Sequence, residues 1–195
     1  MSALDVIRRE HRSLAAVIHG LRHLVREIRE QGARPDFGLL DAMLRYIDAF
    51  PERLHHPKED RYLFRRLRER DPGSARILDE LEGEHATGAH AIRELGAALA
   101  RYREEGAAGL PAFAALVDAY VAFHWEHMRK EEVEVMPAAE RHLLPEDWAE
   151  IDAAFGSHGD PLFGADAESE FGTLFRRIVD LAPPPIGVGP AVPGK

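Results

Sequence analysis

Four histidines of this chain lie at positions from which a helical protein could bind metal. Each lies on the predicted core-facing side of an amphipathic helix, and His11 and His85 each occupy one step of an apolar series with helical spacing. Two of them are followed four residues later by a glutamate, which gives the set His11, His55 with Glu59, His85, and His127 with Glu131. A buried imidazole or carboxylate without a partner costs several kcal/mol. Six such groups directed at one core call for a compensating positive charge, which a metal ion would supply.

The two histidine–glutamate pairs have a spacing at which both side chains can reach one ion. On an α-helix, residues four apart differ by about 40° in direction and lie about 6 Å apart. We therefore expect the carboxylates of Glu59 and Glu131, on opposite helices, to bridge two ions while the imidazoles terminate them. Imidazole and carboxylate ligands without sulfur suit iron, manganese or zinc.

A purely structural role is the simpler alternative. A single histidine on an apolar face is usually a hydrogen-bonded core residue, and a single H-x-x-x-E is commonly a helical ion pair. Four inward histidines on four helices, two of them with the same pendant glutamate, are harder to explain in that way. The whole set therefore favours metal binding.

The chain has 11 histidines, and the remaining seven help to calibrate this prediction. Steps of about 100° per residue place four of them on peripheral or surface positions, namely His19, His23, His56 and His90. His124 lies one turn before His127 and is a candidate to support or replace a ligand. His142 and His158 fall outside the predicted depth of the site. Three glutamates flank the ligand positions and are expected either to contact the ligands or to face solvent: Glu52, Glu84 and Glu132.

Four amphipathic helices must position these residues. Apolar residues recur at alternating spacings of three and four, which is typical of helices in a bundle. The predicted helices cover about residues 4–28, 36–70, 78–102 and 110–142. Leu54 is predicted to lie on or near the inner face of the second helix, and Pro57 predicts a kink within it. Short Gly- and Pro-containing connections make sequential helices antiparallel. The pattern thus predicts an all-α fold, an up-down-up-down four-helix bundle.

The remainder of the chain is predicted to contain two short helices and a tail. Pro145 opens a helix expected to end near Phe155, and an amphipathic helix is expected over 167–181. Residues 182–195 are rich in Pro and Gly and are expected to be extended. We therefore divide the chain into a bundle at 1–143, a helical extension packed on it at 144–181, and a tail at 182–195.

Composition narrows the possible functions. A chain of 195 residues, 45% of them hydrophobic, can form one domain with a sizeable core. The net charge of −9 argues against general binding to nucleic acid or anionic membranes. The absence of cysteine excludes disulfides, thiolate zinc sites and iron–sulfur clusters. Early charges at the N-terminus and the lack of a long apolar stretch lead us to expect a soluble cytoplasmic protein.

In its motifs the chain resembles the hemerythrin-like (HHE cation-binding) domain proteins. The residues that carry the resemblance are E-H-R-S-L at 10–14, H-H-P-K-E-D at 55–60, E-H at 84–85 and H-M-R-K-E-E at 127–132. The resemblance extends over about residues 3–142. It implies a four-helix bundle that holds a non-haem di-iron centre, bridged by two carboxylates and an oxo or hydroxo group. The ligands that it implies are His11, His55, Glu59, His85, His127 and Glu131.

Two departures from the oxygen-carrying members of that family bear on function. The carriers place a second histidine four residues after the ligand of the third helix, where this chain has Ala89. They also separate the histidine and carboxylate of the fourth helix by five residues, whereas His127 and Glu131 are four apart. We expect fewer protein ligands and more open coordination positions, which favours small-molecule reactivity over oxygen transport.

Three hypotheses follow from these observations. The first is a di-iron protein that binds, senses or reduces O₂, NO or peroxide, with an unidentified redox partner, in oxidative or nitrosative stress or in iron handling. The second is a metal-responsive interaction module without turnover. The third is a metal-free structural bundle, in which His55→Ala would leave thermal stability in the presence of iron unchanged. A ferritin-like oxidase fits poorly, because such sites consist mainly of glutamates.

Overall fold

The computed structural model describes residues 2–156, whose regular secondary structure is entirely helical. We number five helices along the chain. They are α1 (Ala3–Gln31), α2 (37–70), α3 (Ala75–Glu105), α4 (110–142) and α5 (Pro145–Gly156). All four long helices occur where the apolar pattern predicts them, and α5 is the short helix expected after Pro145.

Helices α2 and α4 change their hydrogen-bonding pattern near the predicted ligands. Helix α2 consists in turn of α-helical Phe37–Ile47, π-helical Asp48–His55, an α-helical turn His56–Lys58, π-helical Glu59–Phe64 and α-helical Arg65–Arg70. Helix α4 consists of α-helical Leu110–Lys130, π-helical Glu131–Val135 and α-helical Met136–His142. In a π-helix each N–H bonds to the carbonyl five residues back, so each turn holds more residues than an α-helical turn.

The π-helical segments of α2 overturn two predictions of side-chain position. His56, predicted to be peripheral, is only 3% exposed, and Leu54, predicted to face inward, is 44% exposed. The predictions assumed about 100° per residue, which holds for an α-helix but not for a π-helix. Pro57, at which we expected a kink, lies in the α-helical turn between the two π-helical segments.

Local signals set the ends of α1 and α3. Ser2 and Asp5 form a reciprocal capping box at the start of α1, and Gly32 ends that helix in the left-handed region with φ 67°. At the start of α3, the Ser74 hydroxyl donates to Asp71 Oδ2 at 2.6 Å and makes no cap hydrogen bond to the helix. Ser74 therefore occupies the N-cap position of α3 without acting as a side-chain cap.

The four long helices surround a common interior. Helix α1 contacts α2 and α4, and α3 also contacts α2 and α4, so the contacts close a ring. Two apolar clusters fill this interior. One includes Leu14, Phe50, Ile92 and Val121, and the other includes Ile7, Leu63, Leu81 and Val135. On every long helix the predicted ligands lie between residues of the two clusters, so the ligands form a polar layer between them.

Helix α5 packs against the second cluster. Its Ile151 and Phe155 are fully buried, and Asp152 Oδ1 accepts a hydrogen bond from the Ala3 backbone N–H at 2.6 Å. Asp147 is also buried and accepts from Arg70 Nε at 2.7 Å. The helix predicted over 167–181 and the tail at 182–195 lie outside the described residues, and the proposed division at 143 and 181 stays a prediction. Within residues 2–156 no helix is both long and apolar enough to cross a membrane.

Candidate metal centre

The structure brings all six predicted ligands into the polar layer. Each side chain is more than nine-tenths buried, with relative exposures from 1% to 6%. The six residues are His11 on α1, His55 and Glu59 on α2, His85 on α3, and His127 and Glu131 on α4. The four helices therefore each contribute at least one group to a single site.

Each glutamate of this layer faces histidines of several helices. Glu59 Oε1 lies 3.3 Å from His55 Nε2 and 3.9 Å from His11 Nε2, and its Oε2 lies 3.7 Å from His85 Nε2. Glu131 Oε2 lies 3.1 Å from His11 Nε2. The Oε1 of Glu131 lies 3.3 Å from His127 Nε2 and 3.6 Å from His85 Nε2.

These distances divide the layer into two positions that an ion could occupy. His11 faces one oxygen of each glutamate, and His55 faces the same oxygen of Glu59 as His11 does. His85 faces the other oxygen of each glutamate. Potential ligand atoms of His11, His55 and Glu59 lie within 4.8 Å of one another, and so do those of Glu59, His85 and Glu131. The two carboxylates therefore span the two positions.

A second set of carboxylates orients the histidines through their Nδ1 atoms. Glu10 Oε2 lies 2.7 Å from His55 Nδ1, and Glu84 Oε2 lies 3.0 Å from His127 Nδ1. On α1 and α3, the orienting glutamate is thus the residue just before that helix's own ligand histidine. A carboxylate that accepts the Nδ1 proton fixes the tautomer and leaves Nε2 available to a metal.

The other two histidines are oriented by residues that follow the ligand glutamates. Asp60 Oδ1 lies 2.7 Å from His85 Nδ1, and Glu132 Oε1 lies 3.0 Å from His11 Nδ1. The roles of Glu10 and Asp60 were not foreseen from the sequence. Their signal is the repetition of E-H at 10–11 and 84–85, and of an acidic residue directly after both Glu59 and Glu131.

The unpartnered atoms of the layer match the donor set of a metal site. Among the described residues, Nε2 of all four histidines is buried without a hydrogen-bond partner. The same holds for Glu59 Oε2 and for both carboxylate oxygens of Glu131. Unsatisfied buried groups of this kind are costly. Nitrogen and oxygen donors directed at shared positions fit a divalent transition-metal ion.

Electrostatics in the layer favour positive charge. Burial lowers the pKa of His127, but Glu131 and Glu84 outweigh it and raise the pKa to about 10. Burial likewise lowers the pKa of His85, but Asp60 and Glu131 raise it to about 9. For Glu131 burial raises the pKa, yet the neighbouring histidines, His127 foremost, hold it well below its usual value. The layer thus stabilises cations, whether protons or metal ions.

A buried polar cluster adjoins the second ion position. Tyr120 O–H donates to Glu52 Oε1 at 2.9 Å, and His56 Nδ1 lies 3.3 Å from Glu52 Oε2. His124 Nδ1 donates to the Tyr120 carbonyl at 3.2 Å, and its Nε2 lies 3.4 Å from Glu52 Oε1. Burial raises the pKa of Glu52, but the neighbouring imidazoles of His124 and His56 hold it well below its usual value. His124 was expected to support the site, whereas His56 was missed because of the π-helical register.

The other histidines and the flanking glutamates can be compared with their predicted positions. His19 and His23 are partly buried and His90 is exposed, so none of the three lies in the polar layer. His142 Nε2 lies 3.9 Å from Asp71 Oδ2, away from the layer. His158 lies outside the described residues. Glu84 and Glu132, which were expected either to contact the ligands or to face solvent, contact them.

A cavity connects the layer to the surface between α1 and α4. Its volume is about 460 Å³, and its lining includes His11 and Glu132 together with Ala15, Trp125 and Met128. Trp125 is 46% exposed at its rim. A small molecule could therefore approach the His11 side of the layer without the four helices separating.

Comparisons with known proteins identify one family. The family model described as "Hemerythrin HHE cation binding domain" matches residues 2–139. This range includes all six predicted ligands and the four carboxylates that orient their histidines. No curated protein and no solved structure matches the chain.

Proposed function

The chain belongs to the hemerythrin HHE cation-binding domain family, and from this premise we propose that its polar layer holds a dinuclear non-haem iron centre. Cation binding agrees with both the family and the histidine–glutamate clusters. The choice of iron is our own, and manganese and zinc accept the same donors. We propose the up-down-up-down four-helix bundle as its scaffold, which the ring of helix contacts supports.

The observation that carries this proposal is the position of the two glutamates. Glu59 and Glu131 each direct one oxygen towards the His11 side and the other towards the His85 side. Each of these carboxylates would help to hold both ions of such a centre. His11 and His55 would be the histidine ligands of one ion, and His85 and His127 would be those of the other.

We propose that this centre binds, senses or reduces a small molecule such as O₂, NO or peroxide. Iron held by these residues would supply the electrons for such chemistry. Residues of the chain would orient the ligands and control access to the site. Glu10, Asp60, Glu84 and Glu132 hold the imidazoles in place, and the two apolar clusters limit access of water. The cavity beside His11 would admit the small molecule.

A metal-responsive interaction module without turnover is the second candidate. The observation in its favour is that Trp125 and Val133 are exposed beside the same cavity, at 46% and 60%. Metal binding would tie four helices together and so stabilise this surface for a partner. In either case we propose a cytoplasmic protein with no nucleic-acid or membrane partner, which the net charge of −9 supports.

The test is anaerobic loading with Fe(II), followed by metal quantification and optical spectra before and after oxygen, NO or peroxide. We expect two irons per chain and an oxo-bridge charge-transfer band after oxidation. Both should be lost in His55→Ala and in His127→Ala. His90→Ala, which changes an exposed histidine outside the layer, is the matched control and should behave as the wild type.

Two results would contradict the proposal. A chain that retains no iron and gains no thermal stability from it would exclude the di-iron centre. Full iron loading without any reaction with the three small molecules, combined with iron-dependent capture of a partner, would favour the interaction module instead. Consumption of peroxide or NO by the loaded protein would favour the reactive centre.

A further inference from the structure

A fifth buried imidazole lies next to the histidines of the second ion position. His56 follows His55 on α2, and its side chain is 3% exposed. One ring nitrogen each of His56, His85 and His127 lies within 4.8 Å of the other two. The set of six predicted ligands does not contain His56, so this proximity needs its own explanation.

His56 is oriented in the same way as the four predicted ligand histidines. Its Nδ1 lies 3.3 Å from a buried carboxylate, that of Glu52. Glu52 is in turn held by the Tyr120 hydroxyl at 2.9 Å. Engagement of Nδ1 by a carboxylate is the usual arrangement for a histidine that binds metal through its other nitrogen.

Gly88 of the neighbouring helix α3 leaves room for the Glu52 carboxylate. A Cβ atom at Gly88 of α3 would lie 3.0 Å from Glu52 Oε1 and 3.4 Å from His124 Cε1. A larger residue at position 88 would therefore press on the group that orients His56. The absence of a side chain at Gly88 is thus part of how the His56–Glu52 pair is accommodated.

We propose that His56 is a third imidazole ligand of the ion held by His85 and His127. The inference rests on the proposed dinuclear centre and makes its two positions unequal, with two imidazoles at one and three at the other. The ligand class is a divalent transition-metal ion. The position with two imidazoles lies on the side of His11, where the cavity opens, so exchangeable coordination sites would concentrate there.

Ligation requires a small rearrangement of His56. Its ring is 4.3 Å from the His85 ring and nearly parallel to it, with an interplanar angle of 9°. A metal lies close to the plane of each imidazole that binds it, so one of the two rings must tilt when both bind one ion. A purely structural role would instead preserve the parallel stack.

The test compares Co(II) binding by the wild type and by His56→Phe, using calorimetry and visible spectroscopy. Phenylalanine keeps a flat ring that can stack on His85 but cannot bind metal. We expect two ions in the wild type and, in His56→Phe, one ion weakened at least ~10-fold with a stronger d–d band from its lower coordination number. His90→Phe changes an exposed histidine outside the polar layer; it is the control and should keep both ions.

The outcomes distinguish failure of the His56 proposal from failure of the proposed dinuclear centre. If His56→Phe binds two Co(II) ions with unchanged affinity and spectrum, His56 only packs on His85, and the dinuclear centre stands without it. If the wild type binds fewer than two ions, both proposals fail.

A measurement on the wild type does not depend on folding of the variant. Each metal-bound histidine should retain one Nδ1 proton hydrogen-bonded to a carboxylate. In the Co(II)-loaded protein, these protons appear as strongly shifted, exchangeable NMR signals. Five such signals support ligation by His56, and four overturn it.

Discussion

Asp60 Oδ1 lies 2.7 Å from His85 Nδ1, although Asp60 belongs to α2 and His85 to α3. The same relationship recurs between Glu10 and His55, so a residue beside one predicted ligand orients the histidine of the neighbouring helix. Each long helix carries at least one predicted ligand and a carboxylate that contacts a predicted ligand histidine of another helix. The site is therefore interlocked, and a change in a carboxylate that never touches the metal should affect metal binding.

Asp60→Asn should weaken metal binding without removing a predicted ligand. The amide keeps a hydrogen-bond acceptor near His85 Nδ1 but loses the negative charge that makes this imidazole a stronger donor. Loss of such a partner costs about 10–100-fold in metal affinity, which calorimetry with Co(II) would measure. Asp79→Asn removes an exposed carboxylate that pairs with Arg68 and is the control. Equal affinities in the two variants would contradict the orienting role.

Metal removal should lower the stability of the folded chain. An ion that binds only the folded state, at a free concentration of 100 times its Kd, adds about 2.7 kcal/mol. We expect a chelator to lower the melting temperature of the loaded wild type, and to have little effect on Glu131→Gln, which loses a bridging charge. A wild type with the same melting temperature with and without Fe(II), Mn(II) or Zn(II) would favour the structural alternative.

Protons should compete with the metal at neutral pH. Because the pKa values of His85 and His127 are raised to about 9 and 10, we expect both imidazoles to be protonated at neutral pH, so that a metal must displace a proton from each. Metal affinity should therefore rise with pH up to these raised pKa values. Calorimetry at pH 7 in two buffers of different ionisation enthalpy should detect proton release. Binding heats that do not depend on the buffer would contradict this expectation.

The stability of the chelator-treated protein should change with pH in the opposite direction. A raised pKa in the folded state stabilises that state fully below the unfolded value of about 6.5, and the contribution is lost as the pH rises towards the folded value. We therefore expect urea denaturation midpoints to fall between about pH 6.5 and the pKa values of about 9 and 10 given for His85 and His127. A midpoint that stays constant or rises over this range would argue against protonated histidines in the layer.

Three glycines of α3 provide a matched test of the close packing around the Glu52 carboxylate. A Cβ at Gly83 or Gly96 would meet no atom within 4 Å, whereas one at Gly88 would lie 3.0 Å from Glu52 Oε1. Alanine is favoured over glycine inside a helix by about 1 kcal/mol. Gly83→Ala and Gly96→Ala should therefore raise the free energy of unfolding, and Gly88→Ala should gain less or lose stability. An equal gain at all three positions would show that the Glu52 carboxylate moves aside at no cost.

The four long helices and the six predicted ligands could be predicted because the apolar pattern of each single helix indicates them. His11 and His85 replace single steps of an apolar pattern that continues on both sides, which identifies them from one helix alone. The position of His56 could not be predicted in this way, because it depends on π-helical segments that no spacing of apolar residues revealed. The pairing of Glu10 with His55 joins different helices, so only the repeated E-H motif hinted at it.

The polar layer between two apolar clusters has a kinetic consequence. Each cluster is a continuous apolar unit, but the layer between them joins the units through charged groups that a metal would hold together. Proteins open locally where such cohesion is weakest. When the ion is removed, backbone amides near the middle of α2 should exchange with solvent deuterium sooner than amides near either end of that helix. Metal occupancy would then set how long the two halves of the interior remain closed as one unit, and so how readily proteases cut the chain at its centre.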